Sequence, residues 1–113
     1  MDNQHRKIAG YRELTQADID MMNTIKAMGP QLENLLYAVG QHVAEQRGAV
    51  ADRKRQSEVT ATVAEAHAIF DAAKDEGKRL DDAQPERWAA IARTHFQEGL
   101  MALTRAVAQP TFF

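Results

Sequence analysis

Met22-Asn23-Thr24-Ile25-Lys26-Ala27-Met28-Gly29-Pro30-Gln31-Leu32-Glu33-Asn34-Leu35-Leu36-Tyr37-Ala38-Val39-Gly40-Gln41-His42-Val43 is the stretch whose reading decides the fold. Within it, Met22, Ile25, Gly29, Leu32, Leu36, Val39 and Val43 follow one another at steps of 3, 4, 3, 4, 3 and 4. That alternation keeps every member on one face of a helix. Gly29-Pro30 would ordinarily end a helix, yet the apolar phase is the same on both of its sides. Unbroken phase predicts one bent helix over residues 16–46. The bend belongs at Pro30, which has no N–H to donate to the Lys26 carbonyl. Two separate helices are the alternative. Thr15, with Asp18 three residues on, resembles a capping box in which Asp replaces the usual Glu or Gln.

Working outward, residues 47–57 are charged and polar and read as a loop or a frayed helix end. Ser57, the one serine of the chain, would then cap the next helix. Val59, Val63, Ala66, Phe70 and Ala73 recur at helical spacing up to Gly77, read as a helix C-terminus. Asp81-Asp82-Ala83-Gln84 leads to Pro85, a proline suited to the first position of a helix. That helix runs over residues 85–108 and stops before Pro110. The resulting plan is a single all-α domain over residues 1–113. It comprises an N-terminal segment (1–15), a kinked helix (16–46), an extended and partly helical tip (47–84), a C-terminal helix (85–108) and a tail (109–113).

The last helix is apolar around much of its girth. Phe96, Leu100, Leu103 and Val107 form one stripe; Trp88, Ala92, His95, Gly99, Ala102 and Ala106 form a second, built mostly of small residues. A helix of this kind needs neighbours on more than one side, whereas a two-helix hairpin supplies one. Phe112 and Phe113 add an apolar tail. Self-association is the economical solution; a monomeric three-helix bundle with residues 57–77 as its third wall is the alternative.

Composition excludes several classes of chemistry. There is no cysteine, hence no disulfide, thiolate nucleophile or cysteine-bound zinc. With 14 basic and 16 acidic side chains, a general nucleic-acid coat is disfavoured. Met1 to Lys7 is polar and precedes no signal-peptide core, and no apolar run reaches the ~18 residues needed to cross a bilayer. A soluble, cytoplasmic protein is expected. His67 and Asp71 share a helical face without a second ligand pair, which is poor metal chemistry. No phosphate-cradling glycine motif is present. An enzyme and a bound cofactor are both unexpected.

Anion binding fares better, because basic residues gather at the ends of the chain around an acidic middle. Lys26, the one Lys or Arg between Glu13 and Gln46, stands at the edge of the apolar stripe. It is either a snorkelling surface lysine or a point charge held for a phosphate. Tyr11 lies in the basic run His5-Arg6-Lys7-Ile8-Ala9-Gly10-Tyr11-Arg12, where its ring either packs locally or stacks on a base. Arg87-Trp88 opens the last helix, combining guanidinium, indole and free helix-end amides. The plain alternative makes Trp88 core and Arg87 surface.

Two long motifs carry a family resemblance. His5-Arg6-Lys7-Ile8-Ala9-Gly10-Tyr11-Arg12-Glu13-Leu14-Thr15, continuing through Asp18-Ile19-Asp20-Met21-Met22-Asn23 to Ile25-Lys26, is similar to the opening of the phage anti-CBASS cyclic-oligonucleotide sponges. The ending Arg87-Trp88-Ala89-Ala90-Ile91-Ala92-Arg93-Thr94-His95-Phe96-Gln97-Glu98-Gly99-Leu100, on to Pro110, resembles theirs as well. These share a helical hairpin domain with anti-Thoeris sponges. The resemblance implies an antiparallel hairpin assembled into a compact homohexamer. It implies capture, without cleavage, of cyclic dinucleotides such as 3′,3′-cGAMP between subunits, with separate pockets for cyclic trinucleotides in some members. It assigns Tyr11 to base stacking, Lys26 to phosphate and Arg87 to the trinucleotide pocket, and it places Lys7 and Arg12, in the shared N-terminal motif, among the cyclic-nucleotide-binding residues. Residues 47–80 look longer than in the family, so nothing carries over there. A helical scaffold that ignores nucleotides is the reading from another class. A nucleic-acid binder using the basic 47–55 segment is a third.

Overall fold

The computed structural model describes residues 12–59 and 62–112. All regular structure among them is helical: α1 (Gln16–Glu58), α2 (Val63–Ala83) and α3 (Pro85–Ala108). α1 passes through Pro30 without a break, as the uninterrupted apolar phase requires. It also passes through 47–57, which the sequence reads as a loop or a frayed helix end. The reason is compositional: Arg, Lys, Gln, Glu and Ala are strong helix formers. Val50, one heptad after Val43, carries the buried row into this segment, and Arg55 pairs with Asp52 one turn earlier. Polarity here marked a solvated helix face, which periodicity over so few apolar residues does not reveal.

The chain divides into two compact units: residues 1–34 with 92–113, and residues 35–91. The first unit contains no residue of α2. In this unit Ile25 is buried, with Met22, Gly29 and Leu32 half-buried beside it on α1. α3 supplies Ala92, Phe96, Leu100, Thr104 and Ala108 to the half-buried face. Leu103, expected on that stripe, is exposed. A row at i+4 intervals drifts around the axis, so the row from Phe96 reaches Thr104 and Ala108 instead.

Both ends of this unit are capped. The Thr15 N–H donates to Asp18 Oδ2 at 2.9 Å, and the Asp18 N–H returns a bond to Thr15 Oγ1 at 3.1 Å. The reciprocal box forms with Asp in place of Glu. α3 ends at Gln109, whose φ of 54° is left-handed. Its N–H donates to the Arg105 carbonyl at 2.8 Å, and Pro110 then forbids continuation.

In the second unit, Val50, Ala73 and Leu80 form a buried cluster. The inner face of α2 is Ala66, Ile69, Ala73, Gly77 and Leu80, while Val59, Val63 and Phe70 point outward. Small side chains on the inner row let α1 approach: a Cβ on Gly77 would stand 3.4 Å from Val50 Cγ1. Gly77 is therefore an interior helix position and not a C-terminus. Thr62, not Ser57, caps α2, accepting from the Glu65 N–H at 3.2 Å. Ser57 still lies in α1, where its hydroxyl donates to the Lys54 carbonyl at 2.6 Å.

The only non-helical residue between α2 and α3 is Gln84, at φ 51° and ψ 53°. Its N–H donates to the Leu80 carbonyl and its own carbonyl accepts from the Trp88 N–H, so one residue closes α2 and opens α3. Pro85 follows as the first helical residue. Arg47 secures this corner: Nη1 donates to Asp81 Oδ1 at 2.6 Å, and Nε and Nη2 grip the Glu86 carboxylate at 2.8 and 3.1 Å. The paired carboxylates raise the Arg47 pKa, Glu86 first, and Arg47 in turn lowers that of Glu86.

Candidate ligand groove

Lys26 lies on the exposed flank of α1, one residue beyond buried Ile25. In the first unit this flank faces a groove of about 770 Å³ whose opposite wall belongs to α3. Small-molecule sites typically span ~300–1,000 Å³. Met22, Ile25, Leu100 and Ala108 give it apolar surface; Asn23, Thr104, Lys26 and Arg105 give it polar groups. Among the described residues no carboxylate lines it, so the two cations impose a positive field on a largely apolar cleft. Lys26 forms no ion pair or hydrogen bond among the described residues. A surface lysine without a partner, beside apolar wall and facing a second cation, is suited to an anion with flat apolar parts.

Arg12 takes a different position. Its Nε donates to the Ala108 carbonyl at 3.1 Å and its Nη2 to the Val107 carbonyl at 2.6 Å. Its Nη1 pairs with Asp18 at 2.9 Å. Arg12 thus joins the N-terminal cap of α1 to the unsatisfied carbonyls at the C-terminus of α3, the end of a helix that favours cations. Ala108 also lines the groove, so this clamp sets the spacing of its walls. Hydrogen bonds from Arg12 and then from the Thr15 amide hold the Asp18 pKa at about 2.

Tyr11 and Lys7 lie outside the described residues. Arg87 belongs to the second unit, near the start of α3. Its guanidinium sits 5.4 Å from the centroid of the Trp88 ring, within cation–π range. Trp88 is 58% exposed and is not core; ring and cation together present a flat, charged surface.

Sequence reasoning missed Arg105 as a groove residue and Arg47 as a clamp. Arg105 was visible only as a base near a helix end, and its place opposite Lys26 depends on the pairing of α1 with α3. Arg47 could have been flagged by the acids at 81 and 86, but only with the register of α1 against α2 in hand.

Among the described residues no helix is long and apolar enough to cross a membrane. Residues 4–108 match the Acb2/Tad1 hairpin domain. Anti-CBASS protein 2 of Pseudomonas phage JBD67 is 46% identical over 110 residues, covering 97% of this chain and 97% of that one. The capped, paired helices of the first unit agree with a hairpin. The chain belongs to the Acb2/Tad1 hairpin-domain family.

Proposed function

We propose that this protein inhibits host CBASS antiphage signalling by sequestering cyclic oligonucleotide messengers, without cleaving them, in the cytoplasm of an infected cell. The observation that carries the reading is the 46% identity, over nearly the whole of both chains, to Anti-CBASS protein 2. The groove supports it. A cyclic dinucleotide such as 3′,3′-cGAMP carries two phosphodiester anions and two flat bases, matching cations on an apolar wall. Lys26 is assigned to phosphate, Tyr11 to base stacking, and Lys7 to the surrounding positive field. Arg12 holds the groove's frame through Ala108. Arg87, stacked against exposed Trp88, is assigned to a separate cyclic trinucleotide site.

One copy buries little. Among the described residues the buried hydrophobic side chains are Ile25, Val43, Val50, Ala73 and Leu80, whereas Met21, Leu35, Tyr37, Trp88, Met101 and Leu103 are all more than half exposed. Covering such faces is what self-association does, and in a homohexamer a neighbouring copy would close over the open groove. The same faces also favour a second reading, a helical scaffold indifferent to nucleotides.

Isothermal titration with 3′,3′-cGAMP, followed by chromatography of the ligand released on denaturation, tests the proposal. Binding with intact recovered ligand is expected. Loss of Lys26 or Tyr11 to alanine should weaken it by about 1–3 kcal/mol without unfolding. No binding to any cyclic di- or trinucleotide would leave the scaffold reading standing instead, and turnover of the ligand would refute both readings.

A further inference from the structure

The geometry points to Arg105 as a second phosphate-contacting cation of the groove, presented to the ligand by the C-terminal turn. This rests on the sponge reading above and adds a residue to it. Arg105 lines the groove opposite Lys26, and it also lines a smaller recess of about 390 Å³ formed with Pro110, Thr111 and Phe112. Its Nη2 donates to the Phe112 carbonyl at 2.5 Å. A guanidinium has five N–H donors in a rigid fork, and one carbonyl leaves donors over for an anion.

The tail is set up to hold that fork. α3 ends on the Arg105 carbonyl itself, through the Gln109 N–H. The left-handed Gln109 and Pro110 then turn the chain so that Phe112 returns to the Arg105 side chain. Backbone and side chain of one residue are thereby fixed by the same turn. A pre-positioned arginine loses less rotamer freedom on meeting a phosphate than a free one. A cyclic dinucleotide has two phosphates; Lys26 as a lone point charge answers one of them, and Arg105 on the facing wall answers the other.

The test compares the full-length protein with Arg105→Gln, Arg105→Lys and Pro110→Gly, titrated with 3′,3′-cGAMP over a range of salt concentrations. Helix content by circular dichroism checks that each variant is folded. Arg105→Gln should bind about 10- to 100-fold more weakly, with a shallower salt dependence because one cation is gone. Arg105→Lys should recover part of the affinity and the full salt dependence. Pro110→Gly keeps the charge but loosens the turn, so affinity should fall by a few-fold with the salt dependence unchanged. Affinity of Arg105→Gln within twofold of the parent would overturn the assignment. So would equal losses for Gln and Lys, because an arginine that only anchors the tail gains nothing from a restored charge. If the parent itself ignores 3′,3′-cGAMP, the sponge reading for dinucleotides fails first, and this assignment with it.

Discussion

Replacing Leu80 with alanine is the most informative single perturbation of the fold. Leu80 is 1% exposed and is the largest fully buried side chain of the described residues. It packs in the cluster with Val50 and Ala73. Truncation removes about three methylene equivalents, worth about 2.4 kcal/mol at roughly 0.8 kcal/mol each. A cavity term adds to this, because Ala73 and Gly77 on the same face have no side-chain reach with which to fill the hole. The expected loss is therefore about 3 kcal/mol, inside the ~2–5 kcal/mol range of such substitutions. Urea denaturation followed by circular dichroism at 222 nm measures it, with Val63→Ala as the reference, since Val63 is 73% exposed. That reference should change stability by less than about 0.5 kcal/mol. A Leu80→Ala loss below about 1 kcal/mol, or one equal to that of Val63→Ala, would refute the placement of Leu80 at the centre of the second unit.

Gly77→Ala should stabilise the protein by about 0.5–1 kcal/mol, since Gly77 is inside α2 and helix interiors disfavour glycine; the new Cβ would meet Val50 at an ordinary 3.4 Å. A larger residue there should destabilise instead, and thermal melts of the Ala and Leu variants would show opposite signs. Asp18 has its pKa lowered from 3.8 to about 2, so the unfolded chain binds its proton first as pH falls. The carboxylate's contribution is complete above about pH 4 and disappears as pH drops through about 2; Asp18→Asn should flatten the melting temperature across that window. Arg47→Met and Glu86→Gln should each lower stability, and the double variant should lose less than the sum of the two, measured as a double-mutant cycle. Additive losses would mean that the bidentate pair at the α2–α3 corner does not act as a unit.

The Arg47 corner shows why the tip could be recognised as partly helical yet not resolved into elements from residue types. Residues 47–57 and 81–84 are polar because they face solvent, and polar helix surfaces and polar loops have the same composition. Val43, Val50, Ala73 and Leu80 form the row that distinguishes them. Half of that row lies in α1 and half in α2, so no single window of sequence contains it. The groove has the same character. Lys26 could be singled out as a lone cation beside an apolar stripe, while Arg105 could not, because its distinction is to face Lys26 from another helix.

Residue spacing and local chemistry by themselves determined the all-helical class, the uninterrupted run through Gly29-Pro30, the Thr15–Asp18 cap and the helix from Pro85 to Ala108. Each depends on neighbours within about one turn or on a repeat along one face, and such interactions are written in consecutive residues. Only the tertiary structure decided that Arg12 joins the two ends of the first unit. It alone put Ile69 and Leu80, instead of Val63 and Phe70, on the inner face of α2, and brought Arg105 to the groove wall. These depend on the rotational setting and register of one helix against another. That setting follows from side-chain volume across the contact, where Gly77 and Ala73 admit Val50, and hydrophobicity along a single helix carries no record of it.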